Sequence, residues 1–89
     1  MNNEMPPHNE SVDYKEVLVD LSKKYLNDEG QIDIEDYIES GEIEKVKQYL
    51  VGAIDGLFAR GEIDQDEASS VFSQLHVTDE EKARYRRSN

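Results

Sequence analysis

Residues 41–61 read GEIEKVKQYLVGAIDGLFARG, a helical stripe with a glycine at each end. Ile43, Val46, Leu50, Ala53, Ile54 and Leu57 recur every three or four positions, with Phe58 beside them. That period belongs to one face of an α-helix, and a strand, which alternates every second residue, does not produce it. The spacing predicts the longest helix of the chain over residues 42–60 and makes it the central core element.

The bounding glycines belong to a wider grammar. Gly30-Gln31-Ile32-Asp33, Gly41-Glu42-Ile43-Glu44 and Gly61-Glu62-Ile63-Asp64 each read Gly-x-Ile-acid. Glycine adopts the left-handed conformation that closes a helix at little cost. The isoleucine two residues on packs back against the turn, and the acid suits the N-terminus of the next helix. Three such segments predict three helix junctions.

Working outward, Asp13 and Glu16 form a capping arrangement ahead of Tyr14, Leu18, Leu21 and Tyr25, with Val17, Val19 and Leu26 alongside. This predicts an amphipathic helix over residues 13–27. A short helix over 34–40 buries Ile34, Tyr37 and Ile38. Another over 65–75, capped by Asp64 and Glu67, presents Ala68, Val71, Phe72 and Leu75. Thr78 and Glu81 form a T-x-x-E capping box that opens a short polar helix running into KARYRRSN. The expected fold is therefore all-α, a compact bundle of four to five short helices. The 42–60 helix lies between the 13–27 and 65–75 helices. Residues 1–12, polar and carrying both prolines, are expected to be a disordered arm, and residues 13–89 a single helical domain with a basic C-terminal tail.

Charge narrows the functional classes. Twenty-one acids against ten bases give a net charge of -11 over 89 residues. Nucleic acid and anionic membranes are recognised by Lys and Arg, so neither is an expected direct partner. A basic protein surface is, because its field steers an acidic chain into encounter. Cysteine is absent, which excludes disulfides and thiolate metal sites. MNNEMPPHNE lacks the basic and apolar pattern of a secretory leader, and no apolar run approaches a bilayer span, so a cytoplasmic protein is expected.

Sharper chemistries fit poorly. Residues 27–33 resemble the middle of an EF-hand loop, but the opening oxygen ligand falls on Tyr25, and on Gly56 in the copy around Gly61. His8 and His76 have no ligand-type neighbours at metal-site spacing, so no metal or cofactor is expected. The acids lie along solvent-facing positions, unlike the desolvated carboxylate pairs of acid–base catalysis, so the protein is not expected to be an enzyme. Gly52 and Gly56 sit in a helix too polar for a membrane dimer, and read as sites of close helix approach.

The segment that points to function is residues 28–44, eight acids and no base. Asp33, Glu35, Asp36, Glu39, Glu42 and Glu44 are the candidate contact residues, with Tyr37 and Tyr49 as aromatic anchors. The expected function is a non-enzymatic protein-binding regulator of the inhibitor, immunity, antitoxin or counter-defence kind. It would engage a basic surface, including that of a nucleic-acid-binding protein. One alternative is a structural subunit or homodimer. Another is a DNA mimic, whose carboxylates imitate phosphates in a nucleic-acid-binding groove. In the tail, Lys82, Arg84, Arg86 and Arg87 surround Tyr85, and pairing with the molecule's own acids is the preferred reading.

Overall fold

The computed structural model describes residues 8–88, with side chains described over 14–87. Among the described residues the chain forms five α-helices and no strand: α1 (His8–Tyr25), α2 (Asp28–Glu39), α3 (Ile43–Ala59), α4 (Gln65–Leu75) and α5 (Asp79–Ser88). The expected arm falls outside this range up to residue 7, and residues 8–12 belong to α1. Asp13 therefore stands inside α1 rather than at its cap.

Helix α3 is the hub, touching each of the other four helices. Its sequence divides into three stripes. Val46, Leu50 and Ile54 are fully buried, with Ile43 and Leu57 packed at the ends of the same face. They meet Leu18 and Leu21 of α1, Ile34 of α2, and Ala68, Val71 and Leu75 of α4. The second stripe, Glu44, Lys47, Val51 and Asp55, receives α5, and here Val51 is buried. The third, Lys45, Gln48, Tyr49 and Gly52, turns towards Tyr37 of α2, and both tyrosines pack at the edge of the core. The predicted stripe had Ala53 where Val51 belongs. Ala53 is half-buried and Phe58 is 49% exposed, while Val51 is buried on the side where α5 docks.

The glycine grammar holds twice and fails once. Gly41 and Gly61 have φ of 78° and 76° and close α2 and α3 in the same way. Gly41 N–H donates to Ile38 and Glu42 N–H to Tyr37, while Gly61 N–H donates to Phe58 and Glu62 N–H to Leu57. These paired backbone bonds satisfy carbonyls that the helix leaves open at its C-terminus. Gly30 does something else. It lies in the first turn of α2, whose N-cap is Asn27, with the Asn27 Oδ1 accepting from Gly30 N–H at 2.9 Å. A Cβ at Gly30 would stand 3.0 Å from Leu26 Cβ and 3.2 Å from the Tyr49 hydroxyl, so glycine is there for close approach. Helix α2 accordingly starts six residues ahead of the expected Ile34, and Asp33 caps nothing.

Two other caps are as expected or nearly so. Thr78 N–H donates to Glu81 Oε1 at 2.9 Å and Glu81 N–H to Thr78 Oγ1 at 3.0 Å, a complete capping box. Asp64 accepts from Glu67 N–H, but the Glu67 carboxylate turns instead to the Tyr25 hydroxyl, 2.6 Å away. Burial and that carboxylate push the Tyr25 hydroxyl up to about 12. The Tyr14 hydroxyl donates to the Leu75 carbonyl, and burial with the nearby Glu81 pushes it up to about 12. These two tyrosines tie α1 to α4. Gly56 does not mediate a close helix approach: a Cβ there would meet only the end of Arg60, at 3.4 Å.

The C-terminal segment is a docked helix. Tyr85 is 2% exposed and joins the core cluster, a contact that the polar sequence around it did not suggest. Burial raises its hydroxyl pKa, partly opposed by the neighbouring Arg84 guanidinium.

Candidate functional site

The eight acids of residues 28–44 fall into two groups once folded. Asp28, Glu29, Asp33, Glu35, Asp36 and Glu39 all lie on the solvent side of α2 and are exposed. Among the described residues, no cation stands within ion-pair distance of any of them. Glu42 and Glu44 are already engaged. Glu42 takes the Lys45 ammonium at 2.8 Å and the Ser40 hydroxyl at 2.9 Å, which hold its carboxyl below the usual range. Glu44 takes the Arg84 guanidinium at 2.8 Å. Of the six proposed acidic contacts, α2 therefore keeps Asp33, Glu35, Asp36 and Glu39 together, while the other two serve the fold.

The α2 face is electrostatically costly. Glu29 and Asp33, Asp33 and Asp36, Asp36 and Glu39, and Glu35 and Glu39 are like-charged neighbours one turn apart. Each such pair destabilises a helix by about 0.2–0.5 kcal/mol, so the four cost on the order of 1–2 kcal/mol together. Asp28 and Glu29 occupy the first turn, where the helix dipole favours negative charge. Glu35, Asp36 and Glu39 crowd the opposite end, whose last turn holds no base, and there the dipole opposes them. Local helix stability does not explain that placement.

At the middle of this face stands Ile32, 57% exposed. On a helix its nearest neighbours are Asp28, Glu29, Glu35 and Asp36, so an apolar side chain is ringed by carboxylates. The expected position of Ile32, packed back against a turn, followed from starting the helix at Ile34. Had Asn27 been read as an N-cap followed by two acids, the helical wheel would have placed Ile32 opposite Ile34 and Ile38.

Tyr37 and Tyr49 are half-buried and both border the α2–α3 seam. With Lys45, Gln48 and Gly52 they line an open groove of about 490 Å³. The Lys45 ammonium lies 5.8 Å from the centre of the Tyr37 ring, a cation over a π face.

The basic segment pairs with the molecule itself. Arg86 grips Asp55 with two hydrogen bonds of 2.8 Å, and Asp55 raises the Arg86 pKa. Arg84 meets Glu44, and Lys47 of α3 approaches Glu81 at 3.8 Å. Lys82 reaches Asp79 at 3.3 Å and lies over the Phe72 ring.

Among the described residues no group of three or more His, Asp or Glu side chains is placed to hold a metal ion. The calcium-like segment around Gly30 is helical, not a loop. No described helix is long and apolar enough to cross a membrane. No protein-family model matches the chain, and no curated protein or solved structure matches it either.

Proposed function

We propose that this protein is a non-enzymatic, stoichiometric regulator that binds a basic surface of another protein through the outer face of α2. One observation carries the reading. The chain directs bases on α3 and α5 onto the carboxylates of α3, the α2–α3 junction and α5, and leaves the α2 carboxylates crowded around an exposed isoleucine. A cationic partner would relieve that repulsion, so charge that costs folding energy would contribute to binding. Ile32 would add the apolar contact that gives such an encounter a fixed register. Asp33, Glu35, Asp36 and Glu39 form the contact surface, and Tyr37 and Tyr49 flank it.

The test is affinity capture from the native cell with three baits. These are the wild type, a variant carrying Glu35→Lys, Asp36→Lys and Glu39→Lys, and a variant of equal charge change carrying Glu16→Lys, Asp66→Lys and Glu80→Lys. A partner protein retained by the first and third baits, lost from the second and eluted by salt supports the reading. Equal retention by all three overturns it. Displacement by excess duplex DNA would identify the partner's basic surface as one that serves nucleic acid.

A further inference from the structure

The groove between α2 and α3 has a chemistry of its own, distinct from the carboxylates beside it. Its lining is two tyrosines, a glutamine, a lysine and a glycine. Tyrosine faces attract cations, and phenolic and amide oxygens accept hydrogen bonds. Gly52 contributes no side chain to the α3 side of the groove. A guanidinium, planar and rich in donors, suits both the π faces and the oxygens.

The cation already at the groove supports the match. Lys45 lies over Tyr37 and is tethered by Glu42, yet its side chain is 59% exposed, so it can swing into water when a second cation arrives. Asp33 stands one helical turn before Tyr37, at the border between the groove and the acidic face. A positively charged chain drawn to α2 would thus meet carboxylates first and the tyrosine groove next.

The geometry points to the Tyr37–Gln48–Tyr49–Gly52 groove as the seat of one arginine side chain from a basic protein partner. This rests on the α2 face being the partner-binding surface. The carboxylates supply attraction that any cation shares, and the groove selects arginine over lysine. Lys45 competes in cis, so it tunes the affinity downward.

Hexa-arginine and hexa-lysine peptides separate the two roles, because they carry equal charge. Titration calorimetry at low salt is expected to give the arginine peptide an affinity about fivefold higher than the lysine peptide. Gly52→Leu, which fills the groove, is expected to abolish that preference while leaving lysine-peptide binding in place. Lys45→Gln is expected to strengthen arginine-peptide binding more than Lys23→Gln, an equal charge change on α1. Where Gly52→Leu does not fold, Tyr37→Leu serves instead, because it removes the π face and keeps apolar bulk. Equal binding of the two peptides, or a preference that survives these variants, overturns the groove assignment and leaves the acidic face standing. Failure of both peptides to bind the wild type, or binding untouched by the Glu35→Lys, Asp36→Lys, Glu39→Lys variant, overturns the face itself.

Discussion

Two regions of this small molecule carry dense negative charge, and the fold treats them in opposite ways. Along the α3–α5 seam, each carboxylate meets a base: Glu44 meets Arg84, Asp55 meets Arg86, and Glu81 meets Lys47. Along α2, six carboxylates share one surface without such a partner among the described residues. The first arrangement fastens a helix to the core. The second subtracts from stability. Acidity of the whole chain therefore conceals a division of labour, and net charge alone says nothing about which acids are available to another molecule.

The comparison breaks most visibly at Tyr85. Removing it as Tyr85→Ala should cost about 3–5 kcal/mol, the usual penalty for emptying a buried aromatic site. Ile32→Ala on α2 should change stability by less than about 0.5 kcal/mol. Urea denaturation monitored by circular dichroism measures both. Comparable losses would mean that the α2 face packs against something in the folded monomer.

Glycine substitutions sharpen the contrast next. Gly30→Ala forces a methyl against Leu26 and Tyr49 and should destabilise by about 1–3 kcal/mol. Gly56→Ala meets only a movable arginine end and should stabilise by about 0.5–1 kcal/mol, the gain in helix propensity. The same denaturation series reads the two signs.

Smaller effects follow from charge itself. Arg86→Ala should cost about 1 kcal/mol, at the upper end for an exposed pair because its grip on Asp55 is bidentate. Asp36→Lys should instead stabilise by a few tenths, roughly 0.3–0.5 kcal/mol, by turning repulsions on α2 into attractions. Added salt should shrink both differences, since screening weakens exposed pairs and repulsions alike. Thermal melts at two ionic strengths would expose any departure.

Alkaline titration is the gentlest probe. Tyr14 and Tyr25 rise in the fold from an ordinary 10.0 to about 12, so the folded state keeps protons that the unfolded chain releases. The stability they contribute is whole below pH 10 and falls away as pH climbs towards 12. Both groups are partly exposed, so the decline should be shallow. In Tyr14→Phe and Tyr25→Phe it should be shallower still, as melting temperature against pH would record.

Much of this fold was legible because it rests on local rules. The α3 period, the Thr78–Glu81 box and the closures at Gly41 and Gly61 each depend on residues a few positions apart. Gly30 was misread because the Gly-x-Ile-acid pattern has two physical solutions, and only the Asn27 cap, with Tyr49 packed above, selects the helical one. Tyr85 was hidden for a different reason. A lone aromatic among charges has no periodicity, and its burial is decided by α3, far back in the chain. The candidate site divides along the same line. Its α2 acids could be read from an uninterrupted run, whereas the loss of Glu44 to the fold depends on Arg84, forty residues later.

The hub position of α3 has a consequence for how the molecule breathes. A helix packed on four neighbours has no partial opening that frees its peptide groups and leaves the rest intact. Deuterium should enter α3 only when the entire chain lets go, while the outward amides of α2 trade hydrogen during small local excursions. The acidic face would then be the part of the protein that yields first, carried on a spine that does not.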